Sequence, residues 1–170
     1  MNAFTDYDTL AIDPGNEKSG YVWLRSGKPL LFGIVMNAEL LKGIDQFFRT
    51  DPDRGKRVAC EIMYPRGMPM SGESMETLIW SGRFIERVAD GWNATVQRVN
   101  RHRVKLHLCG SAAAKDGNVR QAIIDRFGGK EFAIGRKAQQ GPLYGISSHV
   151  WAALAVGLYS IDKPDDGVTS

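Results

Sequence analysis

The chain opens with short apolar runs separated by turn residues, and only later shows apolar positions at helical spacing. Thr9–Ile12, Gly20–Arg25 and Pro29–Met36 read as consecutive strands, the last two joined by Ser26-Gly27-Lys28. Asn37 is placed to cap a short helix over Ala38–Phe48, where Leu40, Leu41, Ile44 and Phe48 recur at helical intervals; Asp51-Pro52-Asp53-Arg54-Gly55 ends it. A buried strand is predicted over Arg57–Ile62, then a loop, Tyr64–Gly72. The segment Ser74–Asp90 carries Met75, Leu78, Ile79, Gly82, Ile85 and Ala89 on one helical face, with Glu73 and Glu76 suited to its N-terminal dipole. Thr95–Val99 and Lys105–Leu108 read as further strands, and Asp116–Phe127 as a helix closed by Gly128-Gly129. A Gly-, Lys- and Gln-rich loop, Gly135–Gly145, leads to a last helix over Ser148–Ile161. Antiparallel strands followed by alternating helices and strands predict a mixed α/β sheet covered by helices. Residues 1–162 are expected to form one domain, with a frayed polar tail over 163–170.

A length of 170 residues suits one complete hydrophobic core. The formal charge is only +3, so any nucleic-acid role must rest on where the charge sits. It is uneven. Between Gly91 and Gly110 there is no Asp or Glu, while Arg98, Arg101, Arg103 and Lys105 crowd together. Cys60 and Cys109 end apolar runs without metal-site or disulfide spacing, and are expected to be buried free thiols. Met1–Asp8 is polar and unlike a signal peptide, and no apolar run is long enough to span a bilayer. An intracellular, cytoplasmic location is expected.

Candidate chemistry begins at Asp13, where an apolar strand runs into Asp13-Pro14-Gly15 and returns through Gly20. A carboxylate on a central strand is costly unless it is paired or holds a cation. Glu61 ends an apolar strand in the same way. Two such carboxylates side by side repel unless they share a proton or a divalent metal, and oxygen donors favour Mg²⁺ or Mn²⁺. His149, at the start of the last helix, is a third candidate ligand. Asp116 stands before a helical run, where it reads as an N-cap.

Ile12-Asp13-Pro14-Gly15 with Gly20-Tyr21 resembles the first motif of RuvC-type Holliday-junction resolvases, members of the RNase H-like nuclease superfamily. Cys60-Glu61-Ile62-Met63-Tyr64 resembles their second motif. Val104-Lys105, Gly110 to Lys115 and Asn118-Val119-Arg120-Gln121 resemble the lysine-bearing strand, loop and helix, and Ala153-Leu154-Ala155-Val156 the end of the final motif. The order holds over nearly the whole chain. The final motif departs from the pattern: two acidic positions read His149 and Ala152 here, so a fourth ligand is missing or comes from Asp116, Ser148 or water. Compact size and the missing acid are closer to phage-type members.

The resemblance implies an RNase H-like fold with a mixed five-stranded sheet, and a metal-dependent endonuclease cutting four-way junctions or related branched DNA. Asp13, Glu61 and His149 would hold Mg²⁺ or Mn²⁺, two ions ~4 Å apart aligning a water and the leaving oxygen, with His149 also moving a proton. Lys105 and Lys115 would lie beside the scissile phosphate, Lys115 in a catalytic role. Tyr64 would stack on an unpaired base, and Arg98, Arg101, Arg103 and Arg120 would engage flanking phosphates. A homodimer formed through the helix predicted over Ser74–Asp90 would present two sites. Three rivals stand beside this reading: an RNase H-like nuclease of different substrate, a junction-binding protein with impaired catalysis, and an actin-like nucleotide-binding protein.

Overall fold

The computed structural model describes residues 7–64, 67 and 69–166. Most of the polar N-terminal stretch, Pro65, Arg66 and Met68 of the predicted loop, and the tail from 167 on lie outside the described residues. Strands β1 (Tyr7–Asp13), β2 (Lys18–Arg25) and β3 (Lys28–Met36) form an antiparallel meander. Ser26 and Gly27 turn the β2–β3 hairpin, both at positive φ (49° and 76°), the two-residue geometry that matches strand twist. After helix α1 (Asn37–Arg49), β4 (Gly55–Glu61) pairs parallel to β1. Helix α2 (Gly72–Trp92) then leads to β5 (Val96–Val99), parallel to β4. The result is a mixed five-stranded sheet in the order β3-β2-β1-β4-β5.

Strand alternation sends side chains to two cores. Leu10, Ile12, Trp23, Val58 and Cys60 face α1 and α2. Ala11, Val22, Leu24 and Ala59 face the opposite layer. That layer holds α3 (Arg101–Cys109), α4 (Asp116–Arg126), the short α5 (Lys130–Ala133) and α6 (His149–Asp162). A small hairpin, β6 (Gly135–Arg136) and β7 (Gln139–Gln140), lies within the loop before α6. Helix α6 lies close on the sheet because Gly157 has no side chain: a Cβ there would meet Leu24 Cδ1 at 2.5 Å and Ala11 Cβ at 3.1 Å.

Several expectations are corrected. Lys105–Leu108 is part of helix α3, not a strand. The Lys-Leu-His-Leu alternation misleads because Leu106 is exposed while Val104 is the buried residue, and Asn100 caps the helix by accepting from the His102 N–H. Cys109 accordingly ends a helix and is half-buried, whereas Cys60 is buried; burial pushes the Cys60 thiol pKa up. On α2 the core face is Thr77, Trp80, Ser81, Phe84 and Val88, and the stripe containing Met75 and Ile79 is exposed. The sheet takes the face with the larger rings, which fill more volume. On α1, Phe47 is the buried ring while Phe48 stacks on Trp92 at 5.0 Å.

Asn37 does not cap α1, whose N-cap is Met36; its side chain reaches back to the β1–β2 turn. The start of the tail is tied down, since the buried Gln97 side chain donates to the Lys163 carbonyl (2.7 Å) and the Asp166 carbonyl (2.5 Å). At the base of β1, buried Asp8 accepts from Arg25 (2.9 Å) and Lys56 (3.1 Å) and pairs with Arg54 (2.9 Å). Burial alone would raise its pKa, but the Arg25 and Lys56 bonds outweigh that and hold it at about 2.

Candidate active site

Parity along the strands builds the site. On β1, Asp13 follows Ala11 onto the face beneath α6, and on β4, Glu61 follows Ala59 onto the same face. The parallel register pairs Ile12 with Cys60, so the next residues, Asp13 and Glu61, end neighbouring strands side by side. Helix α6 begins above them at His149. A cleft of about 420 Å³ opens there, lined by Asp13, Glu61, Arg101, Asp116 and His149, with Ala152 on its wall.

The turn after Asp13 is held by a network with no signature in the sequence. Ser19 Oγ donates to Asn37 Oδ1 (2.7 Å) and accepts from Trp80 Nε1 (2.9 Å). Asn37 Nδ2 donates to the carbonyls of Gly15 (3.0 Å) and Asn16 (3.1 Å). Gly15 itself is required by close approach, because a Cβ there would sit 2.3 Å from the Lys18 carbonyl oxygen. Helices α1 and α2 thereby fix a loop on the far edge of the cleft.

Asp13 is 8% exposed, and its Oδ2 lies 2.9 Å from His149 Nδ1. With Asp13 ionised, Nδ1 carries the proton and donates, which leaves Nε2 as an acceptor on an imidazole that is 66% exposed. Burial raises the Asp13 pKa, and the bond from His149 opposes the rise. Glu61 is pushed up to about 7, first by burial and then by the charge of Asp13, with Arg101 working the other way. Arg101 Nη1 donates to both Glu61 oxygens (3.2 and 3.3 Å), and its Nη2 donates to Asp116 Oδ1 at 2.9 Å. Lys105 Nζ is 3.4 Å from the same Asp116 oxygen. These bonds, Arg101 first, hold the Asp116 carboxyl below its usual range.

Asp116 is thus the first residue of α4 rather than its cap, which is Lys115. Arg120 lies over the Trp151 ring at 4.9 Å, and both line the cleft; Trp151 was not singled out from sequence, its signal being an aromatic two residues past His149. Ser148 also lines the cleft and holds a positive φ of 45° at the α6 cap, a strained conformation for a residue with a side chain. Lys115, Arg98 and Tyr64 are exposed and outside the cleft lining, and Arg103 pairs with Asp166. His107 bonds Asp162 at 2.7 Å.

Among the described residues, no three His, Cys, Asp or Glu side chains stand together as a ready-made metal cluster. Arg101 fills the space beside Glu61, and His149 takes an oxygen of Asp13. The donor types still fit a hard divalent cation. Two neighbouring carboxyls whose ionisation burial disfavours gain most from a positive charge between them.

No helix among the described residues is long and apolar enough to cross a membrane. Neither a protein-family model nor a curated protein matches the sequence. Solved structures do match. The Thermus thermophilus RuvC structure superposes with a TM-score of 0.66 at 18% identity, covering 92% of this chain and 95% of that one. T. thermophilus RuvC in complex with a Holliday junction substrate gives 0.61 at 18% identity, covering 89% and 90%. Strand order, helix layers and this near-complete coverage agree: the chain has the RuvC fold, an RNase H-like α/β domain.

Proposed function

We propose that the chain is a divalent-cation-dependent endonuclease acting on four-way or related branched DNA. The observation that carries this reading is the pairing of buried Asp13 with half-buried Glu61 under His149, in a cleft also lined by Arg101, Lys105 and Arg120. Acid donors beside fixed cations suit a phosphodiester, whose charge must be held while an attacking oxygen approaches in line. The fold shared with a protein described in complex with a Holliday junction substrate supports branched DNA as the substrate class.

Asp13 and Glu61 would hold Mg²⁺ or Mn²⁺, which when bound lowers the pKa of water and neutralises phosphate charge. His149 Nε2 accepts the proton from the attacking water, while Asp13 keeps Nδ1 protonated and the ring oriented. Lys105 and Arg120 bind non-bridging phosphate oxygens, and Lys115, exposed at the α4 cap, meets the phosphate flanking the cut. Tyr64, 51% exposed just past β4, stacks on a base at the branch. Arg98 and Arg103 extend the basic surface. The exposed α2 stripe with Met75 and Ile79 would join two copies, so that two clefts address opposed strands.

Incubation with labelled four-way, flap and linear DNA in Mg²⁺, Mn²⁺ or chelator tests the proposal. Cation-dependent cuts near the branch of four-way DNA are expected, and equal cutting of linear duplex would reject the junction assignment. A second reading, junction binding with impaired catalysis, is favoured by Ala152 in the cleft wall. Tight junction binding with no cleavage in either metal would select it.

A further inference from the structure

Arg101 holds an unusual place for a DNA-contacting residue. Its guanidinium bridges two acids, spanning both oxygens of Glu61 and one of Asp116. The carboxylates lining the cleft, Asp13, Glu61 and Asp116, are matched there by Arg101, Lys105 and Arg120. The cleft therefore lacks the surplus negative charge that would draw two divalent ions together, and position 152, on its wall, adds no carboxylate.

Resting on the endonuclease reading, we infer that the Arg101 guanidinium takes the place of one divalent ion, so that the cleft binds a single Mg²⁺ or Mn²⁺, which Asp13 and Glu61 would hold. A guanidinium does part of what an ion does in such a site. It carries a fixed positive charge, orients Glu61 and Asp116, and meets phosphate oxygens through planar paired donors. The bonds to Glu61 and Asp116 occupy at most three of its five N–H groups, which leaves donors for a phosphate. It does not lower the pKa of a bound water. A cation held by Asp13 and Glu61 would supply that chemistry when bound, and His149, hydrogen-bonded to Asp13, would take the proton. Asp116, 73% exposed yet held by Arg101 and Lys105, serves as an anchor for the guanidinium rather than as an extra ligand.

Counting Mn²⁺ bound to the purified protein by electron paramagnetic resonance tests this without recourse to activity. Wild type should bind a single Mn²⁺ per chain, and Asp13→Asn should bind none. Removing the guanidinium in Arg101→Gln opens the space between Glu61 and Asp116 to a second Mn²⁺, and adding Asp116→Asn closes it again. Arg101→Met provides the same vacated space if the Gln variant fails to fold, with thermal unfolding in chelator reporting on both. As a second readout, junction cleavage by wild type should rise with the first power of Mn²⁺ concentration. Two ions in wild type, or an Arg101 variant that binds no more than wild type, overturns the inference. Absence of any bound Mn²⁺ in wild type overturns the cation dependence as well. Junction cleavage by a wild type holding two ions overturns the inference alone.

Discussion

Gly20 and His149 touch backbone to backbone: a Cβ on Gly20 would come within 2.7 Å of the His149 carbonyl oxygen and 2.9 Å of its Cβ. Gly20 is also the residue paired with Asp13 across β1 and β2. The missing side chain thus lets the start of α6 settle where its imidazole can reach the Asp13 carboxylate. Gly20→Ala is expected to push α6 outward, cost about 1–3 kcal/mol as overpacking does, and lower cleavage at least tenfold. Urea unfolding and single-turnover cleavage check the two effects together. Wild-type behaviour in both would show that the His149 contact is not held by this approach.

Glu61 predicts a pH signature of stability. Its folded pKa is raised to about 7 from 4.5, so the fold favours its neutral form. The stability it contributes is fully present below pH 4.5 and is lost as pH rises through about 7. In chelator, Glu61→Gln should therefore be more stable than wild type at pH 8, with the difference vanishing toward pH 4.5. Added Mn²⁺ should raise the Tm of wild type at pH 8 and leave the variant unmoved. A Gln variant that is less stable at pH 8 would mean that the Arg101 bond outweighs the burial of the charge.

Asp8 carries the opposite sign. Its pKa is depressed to about 2 from 3.8, so its contribution is present above pH 3.8 and is lost as pH falls toward 2. Asp8→Asn leaves Arg25, Arg54 and Lys56 without that carboxylate and should cost about 3 kcal/mol, the range for breaking a buried ion pair. Denaturation at pH 7 measures the loss, and the gap between the two proteins should close near pH 2.

Tyr64 is exposed, which separates DNA contact from packing. Tyr64→Ala should leave the Tm unchanged and weaken junction cleavage about ten- to a hundredfold, the value of ~1–3 kcal/mol for stacking on a base. Tyr64→Phe should be nearly silent. A fall in Tm in both variants would assign the ring to the fold instead.

The meander, the two central acids and the last helix were legible because each rests on local pattern: strand runs, turn residues and strand-end position. Asp13 and Glu61 followed from parity once β1 and β4 paired in parallel. Helix α3 was misread because four residues of alternating Lys, Leu and His carry both periods, and burial of Val104 with an Asn100 cap decides between them. The α2 face was ambiguous for a related reason, since two apolar stripes compete and only the sheet selects the one with Trp80 and Phe84. The Ser19–Asn37–Trp80 network and the Arg101 bridge join residues far apart in sequence through a few hydrogen bonds, and no periodicity announces them.

Strand β1 bears one acid at each end, Asp8 saturated with cations and Asp13 left short of them. The two stand about 17 Å apart along an extended chain. Rigidity is thus concentrated at the base of the strand and electrostatic tension at its tip. A charge can then be exchanged at the tip without loosening the strand, because the ion pairs at its base keep it in register.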